Sequence, residues 1–468
     1  MSDILNLGAT EQLASMKAGQ FSACDLMRAT LTRIKEVNGA VNAVVSLRDE
    51  EALLSEARAA DAAATRGLLH GLPIAIKDLA NAAGIPTSQG SPLFAGQIAQ
   101  EDDPHVARLR AAGAIVIGKT NTPEFGLGSH TYNPVHGRTG NPYAPDLSCG
   151  GSSGGAAVAL ALRMTSIADG SDMMGSLRNP AGWCNVYGMR PSWGVVPDAG
   201  QGEEFLHQLA TNGPMARNPT DLALLLDVMA GPDPMQPHGR ALAESAFPSS
   251  LRIGWLGDWG GALPFEPGIL DLCTKALDGF TELGADVAPL DAPFSRDALW
   301  QSWVTLRNWS ISTSLADLMA DPAHAQHLKP EAIWEATQGA ALSAMDVHRA
   351  SVIRSDWFRC TARLFEQVDI LALPTAQVWP FDGTLDWPKE ISGQGMDTYH
   401  RWMEVVIPAS LIGLPCVAVP AGFGANGLPM GLQLIGRRGA DRALLRAAEA
   451  YHAVTDWPAR RPPPMLQS

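Results

Sequence analysis

An α/β fold with a mostly parallel or mixed sheet is predicted for this chain of 468 residues by three features. Short β-rich apolar runs alternate with helical stretches through the first half. The strand signal fades in the middle of the chain and returns near the C-terminus, so both ends build one core. The 46 glycines and 34 prolines are spread throughout, which supplies the turns such an alternation needs.

Residues 1–66 read as an N-terminal helical part. Ser22 and Asp25 form a capping box, Leu26, Ile34 and Val37 recur near helical spacing, and Asn38-Gly39 supplies a stop. A second helix follows over residues 49–66. Residues 67–232 read as the catalytic core, with strands near 72–76, 114–117 and 164–168 and an alanine-rich helix over 156–162. Residues 233–400 change character. They hold nine of the thirteen tryptophans and little strand signal before 369–373, which predicts a helical, tryptophan-rich insertion over the core. Residues 401–468 return to the sheet with strands near 416–419 and 432–435 and a last helix over 441–453.

Composition excludes several classes. The formal net charge is −14, with acidic and basic residues interspersed, so no basic stripe offers itself to nucleic acid or an anionic membrane. No run approaches the roughly 18 apolar residues of a membrane span, and the N-terminus lacks a signal-peptide pattern, so a cytoplasmic protein is expected. The six scattered cysteines show no C-x-x-C pair and read as reduced thiols, mostly buried.

The chemistry concentrates in CGGSSGGAAVALALRMTSIADGSDMMGSL, residues 149–177. Its first loop, Gly150 to Gly155 around Ser152 and Ser153, has almost no side-chain bulk, so N–H groups and hydroxyls can converge on a small space. Its second turn, Asp169 to Ser176, can aim successive N–H groups at an oxyanion. A serine nucleophile needs a base. No H-E-x-x-H is present, and His324 and His327 sit in a polar helical stretch that reads as surface. A lysine serves instead if burial makes it neutral near pH 7. Lys77 fits, because it ends the apolar strand GLPIAIK, where ligands and catalytic groups collect.

Five segments, in order, resemble the amidase signature family over nearly the whole chain: GLPIAIKDL (71–79), GKTNTPEFG (118–126), NPYAPDLSCGGSSGG (141–155), DGSDMMGSLRNPA (169–181), and GLPCVAVPAGF with GLPMGLQLIG near the C-terminus. The resemblance implies a single large α/β/α domain with a mixed central sheet covered by helices. It also implies a Ser-cisSer-Lys triad in which Lys77 is the base, Ser152 the bridging serine in a cis peptide, and Ser176 the nucleophile. Backbone N–H groups of Met173, Met174, Gly175 and Ser176 would then form the oxyanion hole, and Gly126 and Ser152 would contact substrate. No metal or organic cofactor is called for. Family members commonly carry Thr-Gly or Gly-Gly where this chain has Met173-Met174, a change that needs an allowed φ and fills volume. Flexible thioethers suit an apolar or aromatic acyl group.

The expected activity is therefore hydrolysis of a small, hydrophobic or aromatic amide through an acyl-enzyme, in a monomer or homodimer. Aryl carbamates (urethanes) and esters are alternatives for the same triad. Trp300, Trp303 and Trp309 are candidates for an aromatic wall. Three rivals are weaker. GAIVIGKT (113–120) matches a Walker loop, but its middle is itself a strand and Pro123 follows where a helix should start. A non-catalytic binding protein is favoured only by Met173-Met174. An amidotransferase subunit that releases ammonia from glutamine shares the scaffold but works inside a complex.

Overall fold

The computed structural model describes residues 2–198, 203–245, 247–248 and 250–467. An eight-stranded mixed sheet runs through the molecule in the order Asp286–Pro289, Arg252–Trp255, Ile370–Pro374, Pro429–Gly436, Cys416–Phe423, Tyr187–Arg190, Thr211–Ala216, Ile167–Asp172. The first three strands are mutually parallel and the remaining neighbours antiparallel. The C-terminal strands sit in the middle of the sheet, between strands from the first half of the chain and strands from the segment 233–400. Cys416–Phe423 and Pro429–Gly436 are buried almost throughout, as strands covered on both faces must be.

A second sheet of three strands, Val44–Val45, Ile115–Thr120 and Pro73–Lys77, lies beside the edge strand Ile167–Asp172. The backbone N–H of Lys77 reaches across to Oδ1 of Asp169 at 2.9 Å, which joins the two sheets where the catalytic lysine was expected. The helix Gly154–Ala161 is wedged against both sheets, and every residue in it is buried. Its GGAAVALA sequence is apolar on all faces, the pattern of a helix with no solvent side.

The sequence-predicted elements fall close to their places, with three differences. Helix Ala23–Val41, opened by the Ser22–Asp25 capping box, runs through Gly39 and stops at Asn42, which takes the left-handed cap at φ 53°. Asn38 does not break the helix; its side chain accepts from the N–H groups of Ala43 and Val44 and shapes the exit. The second helix is shorter than expected, Glu50–Ala62, with Asp49 as its N-cap. The third difference is larger. The segment 233–400 is not only helical: Arg252–Trp255, Asp286–Pro289 and Ile370–Pro374 extend the main sheet along one edge. Its helices Arg296–Ser314, Pro330–Ala340 and Ala344–Gln367 pack together, the first touching both others.

Among the described residues no helix is long and apolar enough to cross a membrane. All six cysteines are free, with Cys360 partly exposed and the others buried.

Candidate active site

Lys77 closes the strand Pro73–Lys77 with its side chain 1% exposed. Its Nζ lies 2.8 Å from Ser152 Oγ, 3.0 Å from Ser153 Oγ and 3.0 Å from Ser171 Oγ. Burial lowers the ammonium's pKa to about 7, against the opposing pull of Asp169 and Asp172. A base that changes charge near neutral pH, ringed by three hydroxyls, can accept a proton from a serine. Ser171 and Ser153 were not singled out as neighbours of this amine from sequence. The one available signal was their position in the two small-residue loops.

Ser152 follows a cis Gly151–Ser152 peptide at the start of the buried helix and is 2% exposed. Ser176 is 6% exposed. The two loops are tied together by the backbone, with Ser153 N–H donating to Ser176 O at 3.1 Å. Ser152 and Ser176 line one cavity of about 120 Å³. Of the expected Lys77–Ser152–Ser176 relay, the Lys77–Ser152 hydrogen bond is present, and no hydrogen bond joins the Ser152 and Ser176 hydroxyls among the described residues.

The turn that carries Ser176 is held by a buried carboxylate. Asp172 Oδ1 accepts from Gly175 N–H at 2.9 Å and Oδ2 from Leu177 N–H at 3.1 Å. Arg178 binds the same carboxylate through Nε and Nη2, both at 3.0 Å, and Arg190 adds a bond to Oδ1 at 3.3 Å. Burial opposes the charge on Asp172, but the two guanidiniums overcome it and hold the carboxyl well below its usual range. Arg178 then anchors the turn to the rest of the core through Val406 O, Gln433 Oε1 and Ser410 Oγ.

This geometry sorts the four expected oxyanion donors. The N–H of Gly175 is committed to Asp172, whereas those of Met173, Met174 and Ser176 have no intramolecular partner among the described residues. Gly175 instead supplies the bend. Its φ is +83°, and a Cβ there would lie 3.0 Å from two Val406 methyls. Neither methionine takes a positive φ, so the unusual pair sits in ordinary backbone. Met174 is buried in the main core, and Met173 is partly buried at the cavity.

Gly126 lines the same cavity at φ +70°, and a Cβ there would lie 2.7 Å from Leu79 Cδ1 and 3.5 Å from Ser152 Oγ. The left-handed φ, rather than the contact with Ser152, is what favours glycine here. The remaining wall is mostly apolar, with Leu79, Phe125, Ile311, Met403 and the two methionines, beside Ser129, Ser171 and one charged side chain, Arg307.

The anticipated tryptophan wall is not at this cavity. Trp303 is fully buried in the core, Trp309 packs on His207 at 4.3 Å, and Trp300 faces His400 and the Arg401 guanidinium. The helix Arg296–Ser314 that carries them presents Arg307 and Ile311 to the cavity instead. Lys119 of the Walker-like stretch is fully buried and donates to Ala80 O and Thr87 Oγ1, which leaves it no phosphate to hold. His324 is half exposed beside Asp321, and no cluster of three or more metal-ligating side chains occurs among the described residues.

Comparison with known proteins agrees with this architecture. The amidase family model matches residues 25–445. An acylamidase of Rhodococcus erythropolis is 33% identical over 469 residues, covering 97% of each chain. A glutamyl-tRNA(Gln) amidotransferase subunit of Thermus thermophilus is 36% identical over 479 residues, covering 96% of this chain and 97% of that one. Among solved structures, a bacterial aryl acylamidase of the amidase signature family superposes with a TM-score of 0.89 at 28% identity, covering 97% of this chain and 99% of that chain. A family match over nearly all its length, on the same fold, places this chain in the amidase signature family of hydrolases.

Proposed function

We propose that the protein hydrolyses the C–N acyl bond of a small amide with an apolar or aromatic group, using Lys77 as base, Ser152 as proton bridge and Ser176 as nucleophile. The observation that carries this reading is the buried Lys77 amine, 2.8 Å from Ser152 Oγ and lowered by burial to a pKa of about 7, so that a neutral form is available there. Ser176 passes its proton to Ser152 as Ser152 passes one to Lys77, and Ser176 Oγ adds to the carbonyl carbon. The carbonyl oxygen takes the negative charge, facing N–H groups of the Met173–Ser176 turn. Ser152 then donates a proton to the amide nitrogen while Lys77 restores its own. The C–N bond breaks, the amine leaves, and an acyl ester remains on Ser176. Water enters, gives a proton to the same relay and adds its oxygen to the ester carbon; the relay then returns that proton to Ser176 Oγ as the ester C–O bond breaks and the acid leaves.

The wall of Leu79, Phe125, Ile311, Met173, Met174 and Met403 favours an apolar group. An amidotransferase role is less suited to this cavity. Free glutamine carries an ammonium that a buried site pairs with a carboxylate, and no carboxylate lines the cavity among the described residues. The protein is proposed to act alone, as a cytoplasmic monomer or homodimer, without nucleic acid or membrane.

Aryl amides, fatty amides, aryl carbamates and aryl esters assayed with the purified chain, without ATP or partner, test the reading. Turnover of aryl or short apolar amides is the expected result. Ammonia release from glutamine as the sole activity would refute it. Preference for aryl carbamates over amides would keep the triad and change the leaving group.

A further inference from the structure

Arg307 is 3% exposed and its guanidinium is held along one edge. Nε donates to Glu335 Oε1 at 2.6 Å and Nη2 to Tyr399 OH at 2.8 Å, while Tyr399 OH donates in turn to Glu335 Oε1. The third nitrogen, Nη1, has Met173 Sδ as its partner at 3.2 Å, and Arg307 and Met173 both line the cavity that holds Ser152 and Ser176. A thioether is a weak acceptor, and a buried guanidinium N–H left with one is poorly satisfied. Met173 is only partly buried at the cavity, and an unbranched thioether swings aside at little cost.

From this juxtaposition we propose that Arg307 Nη1 is a specificity-determining donor, and that the preferred substrate carries a neutral oxygen acceptor which displaces the Met173 thioether. A ketone, ether or second amide carbonyl in the group lodged in the cavity has the required chemistry. The acceptor is neutral because Glu335 already balances the Arg307 charge, so a carboxylate would enter a site without a free counter-charge. This rests on the amidase reading above, and it adds one polar requirement to a pocket whose wall is mostly apolar.

The test uses matched anilides and N-alkyl amides, each with one ketone at the fourth, fifth or sixth carbon of the acyl or N-alkyl chain, against their all-methylene counterparts. At least one ketone compound should exceed its counterpart in kcat/KM by about tenfold or more, the low end of what a hydrogen bond to a charged group contributes. In the double variant Arg307→Met/Glu335→Gln, which removes the ion pair together, the ketone-to-methylene ratio of kcat/KM should fall to about one. Equal kcat/KM for every ketone and methylene pair in the unaltered protein overturns the proposal, whether or not the variant folds. A tenfold preference for the matching ω-carboxylates over the ketones also overturns it, by showing that the site takes an anion. Loss of the amidase reading itself is distinguishable, since no member of either series would then be cleaved.

Discussion

A lysine at 1% exposure with its pKa lowered to about 7 destabilises the fold it serves. In the unfolded chain Lys77 holds its proton up to its ordinary value near 10.5, whereas the folded protein releases it above about 7. Between those values the unfolded state binds the extra proton, so stability rises with pH across the window, and below about 7 the full penalty applies. Lys77→Met should therefore abolish hydrolysis and raise the melting temperature at pH 7, by a gain on the order of a few kcal/mol that shrinks toward pH 10. Thermal melts of both proteins across pH 6 to about 10 check this, and a pH-independent difference would contradict it. Lys77 was legible in the sequence because a charged residue ending an apolar strand is conspicuous. Arg307 was not, because it becomes a pocket residue only when its helix is laid over the Ser176 turn, and nothing within Arg296–Ser314 announces which face does so.

At the scale of elements, the turn that carries Ser176 is a carboxylate-centred clamp. Asp172→Asn would leave Arg178 and Arg190 buried beside a neutral partner, and should cost about 3–5 kcal/mol in urea unfolding. Acid should act in the same direction: the Asp172 carboxyl is held below its ordinary value, so its contribution is complete above about pH 4 and is lost as pH falls below that. Gly175→Ala forces a side chain into φ +83° against Val406, which should cost about 1–2 kcal/mol and slow acylation by moving the turn. Urea midpoints and single-turnover acylation rates measure the two effects separately. The two serine loops were visible as runs of small residues, yet the sharing of N–H groups was not. Gly175 was expected among the oxyanion donors, and only the position of Asp172 shows where its hydrogen points.

Across the whole molecule, the main sheet depends on the segment 233–400. Ile370–Pro374 pairs on one side with Arg252–Trp255 and on the other with Pro429–Gly436, so this segment is structural as well as a cover for the cavity. Replacing residues 233–400 with a short linker should bare the buried strand Pro429–Gly436 and give an aggregated chain without a cooperative melt. A monodisperse, cooperatively unfolding product would show that the rest folds alone. The α/β class and the return of the C-terminal strands were legible because those strands are long and apolar. The strands Arg252–Trp255 and Asp286–Pro289 were not, because each has four residues and the outer one is largely exposed, which leaves no apolar run to detect.

The whole scheme turns on an uncharged Lys77 drawing a proton from Ser176 through Ser152, and the rate of Ser176 labelling by a fluorophosphonate as a function of pH tests it most directly. The expected result is a single label on Ser176, located by peptide mass spectrometry, whose rate rises with pH through an apparent pKa near 7, levels off above it, and loses that step in Lys77→Met. Labelling of a different residue, or an unchanged pH profile in Lys77→Met, would contradict the scheme.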